Sequence, residues 1–172
     1  FPMPQQHQQL IPLRKLRSML MKFLRPGSSM SHNVDGENQL TNFFVCPGFM
    51  NSVLLYVRPV LSLDAASLKS SWAGTLYLAT VKTPLNEIYP VAVAIIRGNE
   101  DQAGWTFFLE NLSAACPLLS VPHHLDRVWY KYFTFVSDRD KGLKEALAHV
   151  FPENHKLDFL QKSRDIFSST QS

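Results

Sequence analysis

Two aspartates, Asp64 and Asp138, are the residues of this chain best suited to chemistry. Each ends or sits late in an apolar, strand-like run, Asp64 in "LLYVRPVLSLD" and Asp138 in "YFTFVSD". A fold that sets two such runs side by side brings carboxylates distant in sequence to one place, where their hard oxygens can hold a divalent cation. Each residue also has a structural reading. A carboxylate inside a run as apolar as that of Asp64 must find a cation or donors, and a salt bridge or a strand-end turn would supply them. Asp138 stands at a strand-to-helix junction, where an aspartate commonly caps the following helix. Asp140 could take that cap instead and leave Asp138 free. On the residues alone, the cap is the better reading of Asp138.

The elements that would position these acids can be read from periodicity. In "LLYVRPVLSLD" strand alternation places Val60, Ser62 and Asp64 on one face and Leu61 and Leu63 on the other. "TLYLATVK" is a second strand, after a turn around residues 70–74. "IYPVAVAIIRG" is a third, apolar on both faces as a strand covered by helices requires. Asn99, with Gln102 three residues on, forms the pattern of a capping box. Trp105, Phe108, Leu109, Leu112 and Cys116 then recur at helical spacing until Pro117, and Trp105 and Phe108 read as core. "YFTFVSD" is a fourth strand, followed by a helix with Leu143, Ala146, Leu147 and Val150 on its apolar side. The link through Trp105 is long enough for a crossover, so the fourth strand can lie parallel to the first and beside it. The expected fold class is therefore α/β: three antiparallel strands plus a parallel fourth, flanked by helices, in the ribonuclease H-like topology. Asp64 and Asp138 then meet at one end of the sheet, as in a polynucleotidyl-transferase core.

Upstream of this domain, residues 1–38 read as an N-terminal basic helix and linker, and 39–172 as the main domain. Leu10, Leu13, Leu16, Leu20 and Leu24 recur near helical spacing among Arg14, Lys15, Arg17 and Lys22, until Pro26-Gly27 stops the pattern. A connector on the domain surface is preferred for it over a helix that contacts DNA or a membrane. Residues 28–38 read as a loop, and "NFFVCPG" as an edge strand.

The 172 residues are 45% hydrophobic and 18% charged, enough for one substantial core. No apolar stretch reaches the length a bilayer requires, and the N-terminus lacks the pattern of a secretory signal. The chain begins with Phe1, so it is expected to be an excerpt of something longer. Cys46 and Cys116, the two cysteines, have no zinc-ligand or disulfide-scaffold spacing, and a reducing, intracellular compartment is expected. A net charge of +3 permits nucleic-acid contact without demanding it. His123 and His124 are adjacent, point apart on most backbones and read as exposed.

Taken in order, "FFVCPGF", residues 59–64, residues 76–79, "NEIYPVAVAIIRGNEDQAGWTFFLENL" and "FVSDRDKGLKEALAHVFP" resemble the transposase domain of Mutator-like elements, the MULE domain. The resemblance covers roughly the last three-quarters of the chain, and the ordered set is far more specific than a lone Ser-Asp-Arg. It implies a catalytic centre of the Asp-Asp-Glu type, with Asp64 and Asp138 as catalytic residues and metal ligands. It further implies Mg²⁺ or Mn²⁺ as cofactor, DNA transposon ends as partner, a nuclear location, and a full protein that could form homo-oligomers. Two metal ions held by carboxylates can activate an attacking hydroxyl and stabilise the leaving 3′ oxygen during displacement at phosphorus.

The chain also departs from the family pattern. Ala65-Ala66 replaces the usual Gly and its neighbour. Pro84 stands where an acidic residue is common, although Asn86 is retained. Asp158 fits the Cys-or-Asp position, but Gln161 occupies the place of the His three residues later. The family's third acid lies well beyond the second, and Glu145 and Glu153 are too close to Asp138 to be its counterpart. The domain is thus expected to be C-terminally truncated and inactive as it stands. A degenerate or domesticated module that binds nucleic acid or protein is the alternative. A third reading, an independent nuclease, would need Glu100 near Asp64.

Overall fold

A computed structural model describes residues 26–69, 73–120, 133–137 and 142–152. The chain first forms β1 (Ser29–Val34) and β2 (Leu40–Cys46), then a short helix α1 (Met50–Leu54). Three longer strands follow, β3 (Val60–Leu68), β4 (Gly74–Lys82) and β5 (Ile88–Arg97). Helix α2 (Gln102–Ala115), a 3₁₀ turn (Pro117–Ser120), strand β6 (Thr134–Ser137) and helix α3 (Leu143–Val150) complete the described elements. The six strands form one sheet in the order β1-β2-β5-β4-β3-β6. The pairs β1–β2, β2–β5, β5–β4 and β4–β3 are antiparallel, and β3–β6 is parallel. The three antiparallel strands and the parallel fourth expected from the sequence are β3, β4, β5 and β6.

The alternation that builds this sheet divides its residues cleanly. On one face Phe44, Cys46, Leu61, Leu63, Tyr77, Ala79, Ala92 and Ala94 are at most 2% exposed, and they share a single core with residues of all three helices. Tyr77 stands edge-on to Trp105, with ring centroids 4.8 Å apart, and Phe44 edge-on to Phe108 at 5.9 Å. Such contacts add to the burial of large apolar surface. Gly104 makes the approach of α2 to the sheet close, because a Cβ there would strike the Tyr77 ring and hydroxyl. At the far end of α2, the Cys46 and Cys116 sulfurs lie 3.7 Å apart, both buried and both free thiols.

On the opposite face the registered row Met30, Val45, Val93, Leu78 and Asp64 crosses five strands, with Phe43, Ile95 and Leu76 in the next row. The apolar members of these rows are half-buried. Among the described residues the helices pack on the other face, so the expectation of helices on both faces of β5 is met on one alone.

Several local expectations change. Residues 29–34, read as loop, form β1. The signal was present in Asp35-Gly36: the Asp35 carboxylate accepts from the N–H groups of Glu37 and Gln39 at 3.0 and 2.9 Å, and Asn38 takes a left-handed φ of 61°. The run "NFFVCPG" is therefore an internal strand, with β1 outside it. The run "LLYVRPVLSLD" begins at Leu54, the last residue of α1, and β3 starts at Val60. The cap of α2 is Asp101, whose carboxylate accepts from Gly104 N–H at 2.7 Å, two residues later than the Asn99 expected. Asn86, shared with the family pattern, serves a turn: it adopts φ 66° and its N–H bonds the Thr83 carbonyl at 3.0 Å.

Candidate metal centre

Asp64 lies in the middle of β3, directly opposite Leu78 of β4, on the face away from the helices. Because Leu61, Leu63 and Ala65 turn toward the core, alternation sends Ser62, Asp64 and Ala66 the other way. The Asp64 side chain is exposed, and its hydrogen bond among the described residues is from its neighbour's Ala65 N–H to Oδ1 at 2.9 Å. Neither the salt bridge nor the strand-end turn that would explain the acid structurally is present among the described residues, since β3 runs four residues further to Leu68.

The parallel partner strand β6 is registered on β3 through Val60↔Thr134, Leu61↔Phe135, Ser62↔Val136 and Leu63↔Ser137. The residues that next follow Leu63 and Ser137 in the chain are Asp64 and Asp138. Asp138 and Asp140 lie outside the described residues, as do His123, His124, Glu153, Asp158 and Gln161. The candidate pair is thus seen from one side, with the strands that carry it paired up to the preceding residue.

Both helices that follow the strands start at this end of the sheet. Gly142 precedes α3 at φ 83°, and a Cβ on it would collide with the backbone of Gln102, the first residue of α2. Glycine is required there on both counts, conformation and space. The carboxyl ends of β3, β5 and β6 and two helix N-termini therefore gather on one edge, where open α/β sheets place their ligands.

Glu100, the carboxylate considered as a further ligand, is engaged by the core: Trp105 Nε1 donates to its Oε1 at 2.9 Å. It follows the end of β5, where Arg97 pairs with Gly74 and Gly74 with Leu68, four residues beyond Asp64 along β3. At about 3.3 Å per residue, that offset is about 13 Å along the strand. Sequence reasoning did not foresee the Trp105–Glu100 bond, because the partners are joined by the helix start. Among the described residues no group of three or more His, Cys, Asp or Glu is placed to hold a metal ion. Glu145 lies in the first turn of α3, where a negative charge favours the helix dipole.

The model of the MULE transposase domain matches residues 60–157, more than half of the chain. This chain belongs to the MULE transposase domain family. The matched span opens on the first residue of β3 and includes Asp64, Asp138 and all the elements from β3 to α3. No curated protein and no solved structure matches the chain. For a MULE domain, the exposed acid on β3 and the parallel β3–β6 pair are the features on which a function must be built. No described helix is long and apolar enough to cross a membrane.

Proposed function

We propose that this chain carries part of the catalytic core of a Mutator-like DNA transposase with a ribonuclease H-like fold, whose complete form cuts and joins DNA. The observation that carries the reading is the β3–β6 register, Leu63 opposite Ser137, which by one further step would set Asp138 beside Asp64. An exposed carboxylate whose hydrogen bond among the described residues comes from its own neighbour's N–H is a donor suited to a hard cation. Asp64 and Asp138 would hold Mg²⁺ or Mn²⁺ there, together with a third acid not assigned among the described residues. When bound, such ions activate the attacking oxygen and neutralise charge on the phosphate. The chain's own contribution is to fix Asp64 on a central strand, between β4 and β6, so that the carboxylate is held by backbone pairing and not by a loop.

Transposon ends are the proposed DNA partner, the nucleus the proposed compartment, and homo-oligomerisation belongs to the full-length protein. The engagement of Glu100 by Trp105 disfavours an independent nuclease built from this segment alone. A domesticated module that binds nucleic acid or protein is favoured in one respect by the chain itself, which has Ala65-Ala66 after the first aspartate. The deciding experiment is Mg²⁺- or Mn²⁺-dependent DNA cleavage by the full-length protein beside Asp64→Ala and Asp138→Ala. Cleavage by the parent with loss in both variants supports the transposase. Equal activity in all three would remove the enzymatic reading, and DNA binding without cleavage in all three would favour the module.

A further inference from the structure

The sheet face away from the helices raises a physical question that the metal centre does not answer. Its central row, Met30, Val45, Val93 and Leu78, with Phe43 and Ile95 beside it, is apolar and half-buried, whereas the core-face residues of the same strands are sealed. A contiguous apolar surface of this kind marks a site of association. We propose that residues 10–24 of the same chain dock on this face as an amphipathic helix laid across the strands.

Three observations choose that occupant. The first is pattern. At 100° per residue, Leu13, Leu16, Leu20 and Leu24 fall on one side of a helix with Met19 and Phe23, while Arg14, Lys15, Lys22 and the following Arg25 gather on the other, with Ile11 and Met21 as the apolar residues of that side. Arg17 falls at the border, where its aliphatic stem can lie along the sheet and its guanidinium reach water. Pro12 suits the first turn of such a helix.

The second is length. A helix of 13 to 15 residues is about 20 Å long. Five strands spaced by about 4.8 Å span about 19 Å, the width of the row from Met30 to Asp64.

The third is the point of attachment. The segment joins the described domain at Pro26 and Gly27, which lie against Gly48, and Gly48 N–H donates to Ser28 Oγ at 2.9 Å. Met30, the first residue of the row, is six residues from Leu24. Residues 153–172 start from the other side of the sheet, because Phe151 is buried with its ring 4.9 Å from that of Phe135 in the helical layer.

Docked in this way, the helix turns its basic side outward and brings it next to the row's last member, Asp64. Cations there would neutralise phosphates of a strand approaching the acid. The docking itself does not rest on the transposase reading, and its test reads structure, not cleavage.

The test uses the whole 172-residue chain, with hydrogen exchange of residues 13–24 and a benzoylphenylalanine photo-crosslinker in place of Leu20. The docked helix gives amide exchange at least tenfold slower than the unstructured rate, and adducts within one chain to β2, β4 or β5. Leu16→Ser with Leu20→Ser returns those amides to the unstructured rate while the core amides of β4 and β5 stay protected. Arg14→Ser with Lys15→Ser, on the opposite side, leaves the protection unchanged. Adducts that join two chains would put a second copy on the face. Those, adducts to α2, α3 or residues 153–172, or unprotected amides with no adducts, would overturn the proposal.

Discussion

Asp64 is separable from the stability of the domain, and that separation can be measured. Its carboxylate is exposed and bonds the adjacent N–H, so Asp64→Ala should move the melting temperature by no more than about 2 °C, the shift expected of a surface change within about 0.5 kcal/mol. In the full-length protein the same change should lower metal-dependent cleavage by about 100-fold or more, as expected when a group acting on transition-state charge is removed. Thermal denaturation and a DNA cleavage assay check the two halves. The Cys46–Cys116 pair gives a second residue-scale expectation. The hydrogen bond to Cys46 and burial push the Cys116 thiol well above the ordinary thiol range. The same bond shifts Cys46 the opposite way, below the ordinary thiol range. At neutral pH Cys116, fully buried, should react with a maleimide far more slowly in the folded chain than in denaturant. Rapid labelling of the folded protein would contradict the buried pair.

At the scale of elements, α2 and α3 begin in contact, and the start of each depends on a different physical device. Asp101 caps α2, so Asp101→Ala should destabilise the domain by about 1 kcal/mol, whereas Asn99→Ala should stay within about 0.5 kcal/mol. Urea unfolding of the two variants distinguishes the observed cap from the one expected at Asn99. Gly142→Ala should cost more, about 2 to 4 kcal/mol, because it adds left-handed strain to a collision with the Gln102 backbone. The same unfolding measurement checks it, and a neutral result would mean that the two helix starts can separate freely. The sequence carried the helix itself, through the spacing of Trp105, Phe108, Leu109 and Leu112. It did not fix the cap, since Asn99, Glu100 and Asp101 are all polar and local signals cannot rank neighbours one or two residues apart.

Across the whole molecule, the β1–β2 hairpin widens the sheet that carries Asp64: β2 pairs along β5, and the turn adds an exposed ion pair to it, Arg97 with Asp35 at 3.2 Å. Such pairs contribute about 0 to 1 kcal/mol. Asp35, however, also accepts two turn N–H bonds, so Asp35→Ala should destabilise by clearly more than Arg97→Ala in a direct comparison of unfolding midpoints. Equal effects would mean that the turn bonds contribute little. The hairpin also supplies Met30, Phe43 and Val45 to the half-buried apolar face away from the described helices, which links this end of the sheet to the proposed docking of the N-terminal segment.

The residues alone determined the alternation of β3, β4 and β5, the period of α2 and α3, and the crossover length that makes β6 parallel to β3. These are local or topological properties, written in side-chain spacing and loop length. Tertiary structure decided what depends on distant contacts: that β1 pairs outside β2, that Glu100 is held by Trp105, and that Asp64 opens on the face away from the helices. A period-2 pattern says which residues share a face, but a strand apolar on both sides, such as β5, does not say which side the helices will cover. That choice is made by packing, where Gly104 lets α2 come close against Tyr77.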